Sequence, residues 1–149
     1  MTKRQKIGPW SSVSEGQAKQ VQEAVDGIMG AATHYKGATD ADEEVDVDEL
    51  IGVFTDMAGY AYTSLLILNP TRSKQNCEPG PLEDINSKQA KYIRQLFKEV
   101  LELAVDGLQR AKANKRISST DFCGHFSMIK KYAMELEGYF DPGDEDEAA

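Results

Sequence analysis

Cysteine is nearly absent from this chain: Cys77 and Cys123 are the only two, and their spacing suits neither a disulfide framework nor a metal-binding knuckle. Long apolar runs are missing as well. The longest strongly apolar stretch is Leu65 to Leu68, far short of a membrane span, and the basic start (Lys3, Arg4, Lys6) is not followed by the apolar segment of a secretory signal. Histidine is limited to His34 and His125, and tryptophan to Trp10. A reduced, soluble, cytoplasmic protein without cofactor or membrane contact is expected. At 149 residues the chain has the size of one ordinary domain, long enough to bury a core without staples.

Charge is plentiful but unevenly spread. Seven acids fall between Asp40 and Glu49, and the last nine residues add Asp141, Asp144, Glu145, Asp146 and Glu147. These two runs hold 12 of the 25 acids, leaving 13 against 17 lysines and arginines, a body of charge +4 in a chain of net charge -8. The tail 141–149 is acidic, poor in aromatics and expected to be disordered.

Two passages echo one another. Glu49-Leu50-Ile51-Gly52-Val53-Phe54-Thr55 returns as Asp121-Phe122-Cys123-Gly124-His125-Phe126-Ser127 at an offset of 72, which also relates Met57 to Ile129, Tyr60-Ala61 to Tyr132-Ala133, and Asn69-Pro70 to Asp141-Pro142. A second echo, Ala24-Val25-Asp26-Gly27-Ile28 with Ala104-Val105-Asp106-Gly107-Leu108, has an offset of 80. Together they suggest one helix-loop-helix unit written twice, with about eight extra residues in the first loop.

Helical periodicity supports this. Ser12-Val13-Ser14-Glu15 has the form of a capping box, after which Val21, Ala24, Val25, Ile28 and Ala32 lie on one helical face. Gly27 and Gly30, each costing a helix about 1 kcal/mol relative to alanine, predict an end near Gly30 or, as the alternative, a backbone that approaches a neighbour closely. Asp46-Val47-Asp48-Glu49 spells another box and opens a helix to about Leu68, stopped by Pro70. Its stripe of Leu50, Phe54, Met57, Ala61, Leu65 and Leu68 is widened by Ile51, Ala58, Tyr62 and Leu66 until little is left as a solvated face. Asn69 to Pro81 reads as a linker. A third helix spans about Leu82 to Ala113, and a fourth, lined by Phe122, Phe126, Ile129, Ala133 and Leu136, starts at Thr120-Asp121 and ends at Gly138. No stretch alternates as a strand would. The expected fold is all-α, a single domain over 1–140 with repeats at about 12–70 and 82–140 joined by a linker at 69–81, folded as an up-down-up-down four-helix bundle.

Chemistry-bearing residues are sparse. Asp40-x-Asp42-x-Glu44 begins like a calcium loop, but Val45 stands where glycine is needed and Ile51 where a bidentate glutamate is needed. Cys123 and His125, two residues apart, point to different faces of a helix and form no nucleophile-base pair. Glu99-x-x-Glu102, Glu23-x-x-Asp26 and the pair Glu49 and Asp56 bear a loose similarity to the acids that hold magnesium in all-α nucleotide pyrophosphohydrolases. In that family the acids are tightly grouped on two facing helices, whereas Asp56 lies seven residues from Glu49. The resemblance implies an alternative function as a metal-dependent nucleotide hydrolase using Glu23, Asp26, Glu99, Glu102 and Asp106; solvated surface charge explains the same residues.

Basic residues are flanked by acids, so direct nucleic-acid binding is not expected. A second alternative is an acidic inhibitor that occupies the basic groove of a nucleic-acid-binding protein. The leading expectation is a non-enzymatic helical module that self-associates and binds a protein partner. Three groups would carry it: Tyr92, Ile93, Leu96 and Phe97 on an overhang of the long third helix, the cations Arg110, Lys112, Lys115 and Arg116, and the acids Asp42, Glu43 and Glu44 in the loop beside them.

Overall fold

The computed structural model describes residues 9–10, 13–41, 43–69, 82, 85–113 and 119–140. They form four helices, α1 (Glu15–Asp40), α2 (Val47–Ile67), α3 (Ser87–Ala113) and α4 (Cys123–Phe140), the last entered through a 3₁₀ turn at Ser119–Phe122. Each helix packs on the one before it, and α1 closes the ring against α4. The result is an all-α, up-down four-helix bundle with α2 and α4 on opposite corners.

Side-chain caps start α1 and α3 in the same way. The Gln17 N–H donates to Ser14 Oγ (3.1 Å) while the Ser14 N–H donates to Gln17 Oε1 (3.0 Å). Asn86 and Gln89 repeat the exchange at 2.7 and 3.0 Å. Both boxes satisfy donors that a helix start leaves orphaned. The expected box at Ser12 and Glu15 is therefore displaced by two residues, and Ser12 itself lies outside the described residues. Asp46 is the N-cap of α2 but makes no side-chain cap bond, and Glu49, the third helical residue of the expected box, accepts the Tyr35 hydroxyl instead.

Helix α1 runs ten residues past Gly30, through Gly37 to Asp40, which corrects the predicted early end. Burial of Ala32, Ala38 and Thr39, with Tyr35 stacked on Phe126, outweighs two glycine penalties of about 1 kcal/mol each. Helix α3 begins at Ser87 rather than Leu82. The first and third helices are then 26 and 27 residues long, and although α2 is shorter at 21, Ile93, Leu96 and Phe97, expected on an overhang of the third helix, are buried.

Through the bundle centre runs an aromatic stack. Tyr35 lies 5.6 Å from Phe126, and Phe126 lies 5.0 Å from Phe54 with planes 9° apart. The far side of Phe54 rests on Gly107, where a Cβ would meet three ring atoms at 2.6 to 2.8 Å. Each helix thus contributes one layer. Phe54 and Phe126 are both fully buried, as their places in the echo predicted.

At the other end, Trp10 is fully buried and donates its indole N–H to the Leu68 carbonyl at 2.9 Å. Arg94 reaches from α3 to the carbonyls of Leu65 (2.9 Å) and Leu68 (2.7 Å). Helix α2 therefore ends on a cation and an indole, which satisfy carbonyls that its last turn leaves free and oppose its dipole.

Buried positions recur at a single spacing of 72. In α1 and α3 these are Val21 with Ile93, Val25 with Phe97, Ile28 with Val100, and Ala32 with Ala104. In the other pair they are Leu50 with Phe122, Phe54 with Phe126, Met57 with Ile129, Ala61 with Ala133, and Leu68 with Phe140. The lead-in turns match too: the Val13 N–H donates to the Trp10 carbonyl and the Ile85 N–H to the Leu82 carbonyl. The second echo, at 80, is not followed. Val25 and Ile28 are buried, but Val105 and Leu108 are only partly so, and no eight-residue insertion separates the halves.

Two substitutions in the echoed Ala-Val-Asp-Gly passages should act in opposite directions. Gly107→Ala drives a methyl into the stacked Phe54 ring and should destabilise by about 1 to 2 kcal/mol after its helix-propensity gain. Gly27→Ala meets only the end of the exposed Tyr60 ring, at 2.9 Å, which can swing outward, so it should be neutral or stabilise by up to about 1 kcal/mol. Urea midpoints of both variants check this. Ser64 offers a third test, being fully buried with no hydrogen-bond partner for its hydroxyl among the described residues. Ser64→Ala should raise stability by about 1 kcal/mol, and a loss would mean the hydroxyl is bonded after all.

Candidate functional site

The end of the bundle where α1 finishes and α4 begins carries most of the polar side-chain contacts. Lys36 Nζ pairs with Asp40 Oδ2 at 2.7 Å, and Asp40 Oδ1 accepts the Cys123 thiol at 3.2 Å. Those two bonds, that of Lys36 first, hold the Asp40 carboxyl below its ordinary range. Tyr35 is pushed up to about 12 by burial and then by its hydrogen bond to Glu49. Asp106 joins His125 Nε2 (2.8 Å) and Arg110 Nε (2.7 Å), which depress its carboxyl in that order.

Three of these contacts tie helix to helix: Tyr35 to Glu49, Cys123 to Asp40 and His125 to Asp106. His125 also lies edge-on to Phe54 and Phe122, at 5.9 and 5.5 Å, with 15% of its side chain exposed. Its ring links the Asp106 carboxylate to the aromatic core. Cys123 faces Asp40 instead of His125, so the thiol and the imidazole form no nucleophile-base pair, in line with their spacing. Asp40 belongs to α1, which removes the first residue of the calcium-loop pattern from any loop.

The acids of the hydrolase pattern disperse. Glu23 and Asp26 are exposed on α1, Glu102 is exposed on α3, Glu49 takes the Tyr35 hydroxyl, and Asp56 faces outward from α2. Among the described residues no group of three or more metal-ligating side chains is found.

Of the residues predicted to bind a partner, Ile93, Leu96 and Phe97 are buried at 0%, 3% and 0% exposure. They belong to the core and present no docking surface, because the ends of α2 and α4 pack on this half of α3, with Leu65 and Leu68 reached by Arg94 and Phe140 beside Phe97. Tyr92 remains exposed, and its hydroxyl donates to Glu135 of α4. Arg110 is exposed and paired with Asp106, Lys112 is exposed in the last turn of α3, and Glu43 and Glu44 are exposed between α1 and α2. Asp42, Lys115 and Arg116 lie outside the described residues. The contact of Cys123 with Asp40 does put the end of α1 and the start of α4 at one end of the bundle.

The residues that sequence reasoning missed are on the outside of α2. Tyr62 and Leu66 are 55% and 59% exposed, on a strip with Gly52, Asp56 and Gly59. No other side chain comes within 4 Å of a Cβ placed at either glycine. Helix α2 contains three acids and no base, and it is the one helix among the described residues long and apolar enough to cross a membrane. Its inner stripe is engaged with α1 and α3, so the unengaged apolarity is concentrated in this outer strip. The available signal was the gap between Phe54 and Ala61, which are core, and Gly59, Tyr62 and Leu66, which sit on the opposite side of the helical wheel.

A separate groove of about 670 Å³ runs between the start of α1 and the end of α4, lined by Glu15, Ala18, Lys19, Leu82, Tyr139 and Phe140.

The Asp106 cluster predicts a pH signature. A carboxyl depressed in the folded state contributes stability that is full above its unfolded pKa of about 3.9 and is lost as pH falls through the lower folded value. Asp106→Asn should therefore cost a few tenths of a kcal/mol to about 1 kcal/mol at neutral pH, the range for exposed pairs, and the gap to the unmodified protein should close on acidification below about pH 4. Denaturant titrations at several pH values decide it, and a gap that widens in acid would contradict the assignment.

Comparison with protein-family models, with curated proteins and with solved structures found no match.

Proposed function

We propose that this chain is a non-enzymatic helical module that binds protein, itself included, through the outward strip of α2. The carrying observation is the exposure of Tyr62 and Leu66 beside open glycines on a helix without a single base. Leaving a large apolar side chain in water forgoes about 1.5 to 3 kcal/mol of burial, and a contiguous patch of such side chains marks a contact surface. The glycines add shape, since they leave room for a partner's side chains between two protruding ones. The acidic stretch that includes Glu43 and Glu44 lies before the start of α2, where it would favour a basic partner through on-rate more than affinity.

The module is, on this reading, one helix-loop-helix unit used twice at an offset of 72. The recurring caps at Ser14 and Asn86, the matching lead-in turns and the paired core positions support it. Two amphipathic helices cannot bury both their stripes alone, and pairing two such units closes the core. An experimental structure should overlay 14–68 on 86–140 with Phe54 on Phe126; a fit that separates that pair would end the repeat.

A photo-reactive phenylalanine analogue at Tyr62 tests the binding surface, with the same group at Glu102, exposed on α3, as control. Irradiation in cells should give a discrete adduct from position 62 only, lost when Leu66→Glu is added. Equal labelling from both positions, or none from 62, would reject the strip as the binding surface.

A further inference from the structure

The outward strip of α4 matches that of α2 in spacing and opposes it in charge. Gly124, Met128, Lys131, Met134 and Gly138 are exposed at intervals of four, three, three and four residues. Gly52, Asp56, Gly59, Tyr62 and Leu66 are exposed on α2 at the same intervals. Both strips are uncharged at most positions. Each has one ionised residue near its middle, Asp56 on α2 and Lys131 on α4, and neither has an ion-pair partner among the described residues. Of the other charged groups on α4, Lys130 acts on Asp40 and Glu135 accepts the Tyr92 hydroxyl.

We propose that copies of this chain assemble head to tail, the outward strip of α2 in one copy seated on the outward strip of α4 in the next. This rests on the reading of the α2 strip as a protein-binding surface and names its occupant. The argument is charge complementarity with matching relief. Because the spacing is the same read from either end, parallel and antiparallel seating both set Gly59 against Lys131 and Leu66 against a glycine, Gly138 or Gly124. Asp56 is then one turn from Lys131, within reach of its ammonium. The self-paired arrangements lack this charge match: in the same register α2 on α2 sets each Asp56 against Tyr62 with no cation on either strip, and α4 on α4 opposes two copies of Lys131.

A growing chain is the geometric consequence. Helices α2 and α4 occupy opposite corners of the bundle, and each strip lies on the side of its helix away from the core. The two faces of one copy therefore point in opposite directions, and a contact between unlike faces does not close at two subunits. One helix face per contact is a small interface, so association belongs in the micromolar range.

Sedimentation of the full chain in low salt, from about 10 to about 500 µM, tests this. The mean mass should rise past that of a dimer. Asp56→Lys alone and Lys131→Asp alone should each weaken association at least about tenfold, since both create Lys-Lys or Asp-Asp contacts. An equimolar mixture of the two should restore it, because every α2-α4 contact between unlike copies again pairs opposite charges. Circular dichroism of both variants should match the unmodified chain, the changes being on solvent-facing positions. A mass that stops at dimer, assembly undisturbed by Lys131→Asp, or a mixture that stays monomeric overturns the proposal. A monomer at every concentration overturns it too. The crosslink from Tyr62 then separates the two levels: an adduct with a different protein leaves the binding surface standing with another occupant, and no adduct removes both.

Discussion

The Phe54 ring, pressed between Phe126 and the bare backbone of Gly107, constrains the rest of this bundle. A ring that needs about 3.5 Å to the nearest carbons on each face can occupy the centre only if one neighbouring helix gives up its side chain there, and Gly107 does so. The stack then extends through Phe126 to Tyr35, which binds α1 into the same layer. That contact accounts for α1 continuing past two glycines that would end an isolated helix, and its added length packs on α4. Tyr35 ties the layer back to α2 through Glu49, and His125 ties it to Asp106 on α3. Packing and polar contacts at this level therefore support one another, so a change in one ring is felt on all four helices.

Legibility in the sequence followed amphipathic strength. The inner faces of α2 and α4 were readable because Leu50, Phe54, Met57, Phe126 and Ile129 are large and strictly periodic. The second half of α1 was not, since its inner face is made of Ala32, Ala38 and Thr39, whose hydropathy differs little from that of a polar loop. Their burial comes from α4, a tertiary partner that no local window contains. The overhang assigned to the third helix followed from ending the first too early and starting the third at Leu82, and it carried Ile93, Leu96 and Phe97 with it to a surface they do not occupy. Conversely, Gly107 was visible as a residue but not as the floor of a ring, because its partner Phe54 lies 53 positions away.

The outer surfaces were harder still. Tyr62 and Leu66 fit the helical period well enough to be counted with the core of α2, where they only broadened an apolar stripe. Their exposure is a matter of which side a helix presents once three neighbours are in place, and hydropathy has no term for that. The acids misled in the other direction. Asp106 and Glu49 stood out as potential ligands, yet their charges are consumed in joining helices, which is the more common fate of a carboxylate beside a core position.

Trp10 is the only tryptophan in the chain, and it is sealed against the end of α2 about 20 Å along that helix from Phe54. Its emission therefore reports one junction, where the segment before α1 meets Leu68. Tryptophan fluorescence and the ring resonances of the two histidines, His34 beside Tyr35 and His125 beside Asp106, then observe opposite ends of the same molecule. Coincident transitions by the two signals would establish a single cooperative unit, and a lag between them would resolve which end opens first.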